Sequence, residues 1–383
     1  MPTIIMHTTR RLLAILALGL LPHLATAETQ PTEAPPAPAP TTSAKTFGAT
    51  LNLKHGDRFI FIGDSITHQC LYTQYVENFF YINRPELGIQ FRNAGISGDR
   101  ALDVLNRFDE DIAAFKPTIA TILLGMNDGS YKDFDRAVFD TYTKGMTELL
   151  DKLDAINCRV VIMSPTMFDH QSWDITIKQK PDYAKGRIVT GYNAVLGYYG
   201  KWLQQTALDR GYGFVDLFGP LNDITVHQRK TDPAYTLVAD AIHPGSHGQY
   251  VMAKSLVEQT GEAPLSIDTE PSQAIHIGKV PVRNLNGQPA PDSTAAKIIA
   301  LNQKRNQEAV NPLRGLWGKQ KGMLNTKNTN PAAYATWRTE FEAKRAELDA
   351  KAAQFEVEIH ALSKTIPFKA EPKPQPVQQK KAA

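Results

Sequence analysis

Ser65 stands in Gly63-Asp64-Ser65-Ile66, and it is followed in order by Asn93-Ala94-Gly95-Ile96-Ser97-Gly98-Asp99, Gly125-Met126-Asn127-Asp128 and Asp240-Ala241-Ile242-His243-Pro244. A serine hydroxyl becomes a good nucleophile only when a base removes its proton, and a histidine does this best when a carboxylate fixes its tautomer. His243 is the candidate base and Asp240 the candidate carboxylate; three residues apart, both fit in one tight loop. Two arrangements satisfy the spacing: a full Ser-His-Asp triad, or a looser one in which the carboxylate chiefly orients the ring. The tetrahedral intermediate of acyl transfer needs donors for its oxyanion. The candidates are the Ser65 N–H, the Gly98 N–H, which the missing side chain lets approach a substrate, and the Asn127 side-chain amide. Such a set suffices for serine-dependent ester cleavage. Taken singly, each island also has a local reading: a helix cap, a turn signal, a His-Pro loop.

Their weight comes from the elements that hold them. Arg58–Gly63, Ile89–Asn93, Thr118–Leu124, Arg159–Ser164 and Tyr212–Asp216 are short apolar runs. Between and after them Thr67–Ile82, Ala101–Phe115, Asp135–Leu153, Asp182–Asp209 and Ser246–Gln259 read as helices. Continuous apolar strands alternating with helices predict a parallel sheet covered on both faces, a three-layer α/β/α sandwich of five strands. Ligands in such folds sit at the carboxyl ends of the strands. Ser65 follows the first run, Gly98 the second and Asn127 the third, so the candidate groups converge on one edge. Ser65 is expected at a helix N-terminus, favoured by the dipole.

The residues and their order resemble the SGNH hydrolase superfamily, also called GDSL esterases/lipases, over roughly residues 56–260. The matching positions are Gly63-Asp64-Ser65, Gly98, Asn127 and Asp240/His243. The resemblance implies a flavodoxin-like α/β/α sandwich, no metal or other cofactor, and a Ser65/Gly98/Asn127/His243 set with Asp240 supporting His243. It leaves the substrate open, because members cleave acetyl groups from polysaccharides, fatty acyl esters, thioesters and aryl esters.

The ends differ from this core. Arg10-Arg11, the apolar run Leu12–Leu21 and Ala25-Thr26-Ala27 read as a secretory signal peptide over 1–27, too short in its apolar part for a membrane span. Thr9-Arg10-Arg11-Leu12 loosely resembles a twin-arginine signal, which leaves the export route open. Residues 28–45 form a Pro-rich spacer, and 46–262 the hydrolase domain. Residues 263–365 are expected to be a mixed strand and helical extension folded back on that domain, with helices at Ala295–Lys321 and Pro331–Ser363, the second carrying an apolar face at Trp337, Phe341, Leu348 and Phe355. Residues 366–383, rich in Pro, Gln and Lys, read as a disordered tail. A formal net charge of +3 on 383 residues gives no argument for nucleic acid or an anionic membrane. Two cysteines, Cys70 and Cys158, make no disulfide framework or cysteine-rich zinc site.

The expected protein is an exported, periplasmic or secreted serine esterase that removes acyl groups, acetyl first, from a carbohydrate or glycoconjugate. A lysophospholipase or thioesterase on the same residues is the alternative within catalysis, and a silent binding module the alternative outside it. Among other residues, Trp173 is expected to line the pocket from a polar loop at Asp169–Lys180, with Tyr72, Tyr131 and Phe168 either pocket or core. Arg100 faces an acidic substrate or pairs with Asp99 or Asp103. His68 lines the pocket, caps a helix or sits on the surface. His247 lacks the further ligands a metal needs.

Overall fold

Phe59, Ile60, Phe61 and Ile62 are wholly buried in the computed structural model of this chain, as a strand covered on both faces must be. The structure describes residues 51–184, 187, 189–261 and 284–367, and the backbone of 276–277 and 280–281. The expected signal peptide at 1–27, the spacer at 28–45 and the tail beyond 367 lie outside these residues, as do residue 262 and, of the expected extension, 263–275, 278–279 and 282–283.

Five strands, β1 Arg58–Gly63, β2 Gln90–Gly95, β3 Ile119–Leu123, β4 Arg159–Met163 and β5 Gly213–Val215, form one sheet in the order β2-β1-β3-β4-β5. Every neighbouring pair is parallel. The helices are α1 Ser65–His68, α2 Leu71–Asn83, α3 Ala101–Leu105, α4 Arg136–Ala155, α5 His170–Gln179, α6 Tyr192–Arg210, α7 Phe218–Gln228 and α8 Ser246–Gln259. A short antiparallel pair, β6 His276–Ile277 and β7 Val280–Pro281, precedes α9 Thr294–Arg305, α10 Asn311–Thr329 and α11 Pro331–Ser363.

The chain steps one way along the sheet from β1 to β2 and the other way from β2 onward. Parallel crossovers are almost always right-handed, so α2 lies on one face while α3, α4 and α6 lie on the other. The packing agrees: α2 contacts α8 and α9, whereas α3 contacts α4. The reversal leaves a crevice beside β1, where this fold class seats its ligands. Gly63 is level with Gly95 of β2 and Leu123 of β3, so the loops carrying Ser65, Gly98 and Asn127 leave the sheet at one height.

Several helices depart from the sequence expectation. Thr67–Ile82 is not continuous, because Cys70 takes a left-handed conformation (φ 55°) between α1 and α2. With only four residues, α1 offers Ser65 little dipole; its N-terminus is capped instead by the Asp64 carboxylate, which accepts from the Ile66 N–H at 2.9 Å. Ala101–Phe115 breaks after Leu105 into a π-turn at Phe108–Ile112, where Asp111 is wholly buried. The polar segment at 169–180 is helix α5, N-capped by Asp169, and α6 starts only at Tyr192. The expected helix from Ala295 runs from Thr294 to Thr329 through a π-turn at Asn306–Val310.

Both cysteines are buried and neither is in a disulfide. Among the described residues, no helix is long and apolar enough to cross a membrane.

The C-terminal helices close the β2 edge. Arg305 on α9 is buried against Glu77 of α2 (3.3 Å) and donates to the Phe91 carbonyl at 2.6 Å. Leu313 and Trp317 of α10 and Phe341 and Leu348 of α11 bury Ile96, the residue after β2. Trp317 is 1% exposed and stands edge-on to Phe341 at 5.0 Å. Trp317→Ala is therefore expected to cost about 3–5 kcal/mol, the usual range for emptying a large aromatic from a packed core; equilibrium urea unfolding of the two proteins measures it.

Candidate active site

The Asp240–His243 loop is a tight turn with Ala241 in the left-handed region (φ 74°). Asp240 Oδ1 accepts the backbone N–H groups of Ile242 (3.0 Å) and His243 (2.7 Å), which leaves Oδ2 to face the imidazole. Asp240 Oδ2 and His243 Nδ1 are 2.7 Å apart, and His243 Nε2 and Ser65 Oγ 2.8 Å apart. With a carboxylate on Nδ1, the neutral ring carries its proton there and presents a lone pair at Nε2 to the hydroxyl. The Asp240 hydrogen bond raises the His243 pKa above its ordinary value, outweighing burial. Burial pushes Asp240 upward, but the donors from His243 and Ile242 bring it below the usual carboxylate range. The side chains of His243 and Asp240 are 25% and 48% exposed, so the pair opens to solvent.

The strand ends are fixed by close approach. A Cβ on Gly95 would lie 2.4 Å from the His68 nitrogen, and one on Gly63 2.2 Å from Thr67 Oγ1. Gly98 is different. A Cβ there would meet nothing within 4 Å, and its requirement for glycine is its φ of +75°, a conformation costly for residues with a Cβ. This backbone reason for glycine stands beside the expectation that a missing side chain lets the Gly98 N–H approach a substrate.

Asn127 joins the first two loops. Its Nδ2 donates to the Asp99 carbonyl at 3.1 Å and to Asp64 Oδ2 at 3.3 Å, while its Oδ1 accepts from the Tyr131 hydroxyl at 2.9 Å. Asp128 ties the same turn down, accepting from the N–H groups of Ala101 (2.8 Å) and Gly125 (3.0 Å). Burial pushes Asp64 and Asp128 each up to about 7. Asp99 is also buried and is held by Arg107, with contacts of 3.0 Å at Nε and 2.9 Å at Nη2. His68 Nδ1 accepts from both the backbone and the hydroxyl of Ser97, each at 3.1 Å. Burial, with Arg314 and Arg107 nearby, lowers His68 to about 4, so its ring is neutral and able to accept.

The structure thus places Ser65, His243 and Asp240 in one hydrogen-bonded line, with Asn127 bridging the residues next to Ser65 and Gly98. The aromatic expectations divide. Tyr131 sits on Asn127, its ring 5.2 Å from Tyr192. Trp173 does not line a pocket: it is 3% exposed on α5, against Phe168 and Tyr183. Tyr72 and Phe168 are core. Arg100 is exposed at the start of α3, where its N–H donates to Asp103. His247 Nδ1 meets the Tyr235 hydroxyl at 3.0 Å. The sequence reading gives Asp64 and Asp128 no role and Tyr131 none beyond pocket or core; the signal for the two carboxylates lies in the paired carboxamide and carboxylate of Asn127-Asp128, since such side chains commonly satisfy loop N–H groups.

Residues 61–251 match the GDSL-like lipase/acylhydrolase family. An acetylxylan esterase from Geobacillus stearothermophilus is 26% identical over 227 residues, 55% of this chain and 97% of that protein. A crystal structure of an acetylxylan esterase from the same organism aligns at 23% identity with a TM-score of 0.44, over 58% of this chain and 99% of its own. The structure of a gut microbial diltiazem-metabolizing enzyme aligns at 18% identity with a TM-score of 0.63, over 83% of this chain and 97% of its own. That last likeness is one of fold.

Proposed function

We propose that this chain, a carboxylic ester hydrolase belonging to the GDSL-like lipase/acylhydrolase family, removes acetyl groups from a carbohydrate by a Ser65–His243–Asp240 mechanism. The observation that carries the proposal is His243 bridging Ser65 Oγ and Asp240 Oδ2 at 2.8 and 2.7 Å. Ser65 Oγ attacks the ester carbonyl as His243 Nε2 takes its proton. The C–O bond to the sugar breaks, and His243 returns that proton to the leaving alkoxide. Water then attacks the acetyl-enzyme, again giving a proton to His243, and acetate leaves as the proton returns to Ser65. Asp240 stabilises the imidazolium in both halves. The N–H groups of Ser65 and Gly98 and the Asn127 amide receive the oxyanion; the longer Asn127 bond, to Asp64, is the one an oxyanion would displace.

The half-exposed Asp240–His243 pair suits an acetyl group on a bulky polar polymer better than a long acyl chain, which needs an apolar channel. The acetylxylan esterase relative supports the same substrate class. Export through the 1–27 segment is part of the proposal and would place the enzyme with such a polymer. The test is hydrolysis of p-nitrophenyl acetate, butyrate, octanoate and laurate, beside acetate release from acetylated xylo-oligosaccharides. Rates falling with chain length, together with acetate release, are expected. A maximum at the long esters without acetate release would replace the proposal with a lipid substrate.

A further inference from the structure

Two residues before Gly98, Ile96 is 1% exposed among Leu313, Trp317, Phe341 and Leu348, all from the C-terminal helices. On the other side, Lys321 of α10 donates to the Gly98 carbonyl at 3.0 Å and to Asp103 Oδ2 at 2.8 Å, and its Nζ lies 3.5 Å from Asp99 Oδ1. Behind these contacts, Arg314 of α10 grips Asp111 with two bonds, 2.7 and 3.0 Å. Arg107 joins Asp111 (2.6 Å) to Asp99 and to the Ala94 carbonyl (2.8 Å). The loop carrying Gly98 is therefore fastened at Ile96 by apolar packing, and at Gly98 and Asp99 by cations. All of the packing partners and two of the cations lie outside the family match at 61–251.

We propose that α10 is part of the esterase machinery, with Lys321 a positioning residue that holds the Gly98 N–H in the geometry that receives the oxyanion. This rests on the reading of Ser65 and Gly98 given above. Gly98 has no side chain to restrain it and a backbone that samples many conformations, so its N–H is aimed only as well as its flanks are held. Lys321 binds the carbonyl of Gly98 itself. A donor displaced from the developing charge contributes less to the transition state while substrate binding is largely kept.

The experiment uses the full chain and four variants: Lys321→Met, Lys321→Arg, Lys344→Met and Ser65→Ala. Lys344 pairs with Glu347 on the exposed side of α11 and serves as the control. Readouts are kcat and KM on p-nitrophenyl acetate, inhibition by phenylboronic acid, which forms a tetrahedral adduct on an active serine, and the thermal midpoint. Lys321→Met is expected to lower kcat about tenfold and weaken the boronate by a similar factor, part of the 10²–10³ that loss of a whole oxyanion donor costs. KM should stay within about twofold, because the lost interaction belongs to the transition state. Lys321→Arg should recover most of the loss, and the midpoint of Lys321→Met should match that of Lys344→Met.

Wild-type kcat and boronate affinity in Lys321→Met, with Ser65→Ala inactive, would overturn the positioning role alone. A kcat loss with a lowered midpoint and unchanged boronate affinity would overturn it in favour of plain stability. An active Ser65→Ala would overturn the underlying catalytic reading, and this proposal with it.

Discussion

Ser65→Ala is expected to reduce kcat on acetyl esters by about 10⁴–10⁶, the scale seen when a serine nucleophile is removed from a complete set. The physical reason is that the first step is a covalent one. Without Oγ, His243 has no hydroxyl to deprotonate, and a water in its place lacks the fixed 2.8 Å approach. Substrate binding should survive, because Asn127, Gly98 and the loops around them are anchored by Asp64, Asp99 and Asp128 rather than by the hydroxyl. The purified variant assayed beside wild type settles the point, and retained activity would dismiss Ser65 as the nucleophile. Its thermal midpoint should match wild type, since Asp64 keeps its cap on Ile66.

The second large effect belongs to Asp240. Asp240→Asn is expected to lower kcat by about 10³–10⁴, because an amide facing Nδ1 permits the wrong tautomer and no longer stabilises the imidazolium. It should also move the pH profile, and the sign follows from the bonds. The rate needs neutral His243, so kcat/KM rises with pH as His243 loses its proton. Asp240 favours the protonated ring and places the wild-type acid limb above the ordinary histidine value. Removing the negative charge shifts the limb to lower pH. A pH series for both proteins checks it, and an unmoved limb would show that another group governs the profile.

The same asymmetry of local and distant causes decides what the sequence revealed. β1 was legible because burial on both faces leaves an unbroken apolar run, and Ser65 followed because such runs end in loops at the ligand edge. Asp240 and His243 were legible as a pair because the three bonds that shape their loop each span three residues or fewer. Helix α5 was legible in principle: Asp169 caps it, and Trp173 and Ile177 sit one turn apart under a polar surface. The polarity of 169–180 points to a loop instead, and the expectation of Trp173 in the pocket rests on that alone. The break after Leu105 was not legible. It accommodates buried Asp111, whose charge is balanced by Arg92, Arg107 and Arg314, and no local pattern announces a partner on another helix. Lys321 was hidden in the same way, as one more cation on a charged helix until the fold set it against Gly98.

The distance along the chain between Asp111 and Arg314, 203 residues, has a consequence for synthesis. Chains are made from the N-terminus at about 5–20 residues per second, so roughly 10–40 s separate the appearance of these two partners. During that interval the sheet can form, yet Ile96 has no apolar cover, because Leu313, Trp317, Phe341 and Leu348 all come later. A ribosome-bound or prematurely terminated chain would hold Ser65, His243 and Asp240 without the support for Gly98. Full hydrolytic competence would then arrive only with α10 and α11, since a chain without them keeps the nucleophile, base and carboxylate but not the fastening of Gly98.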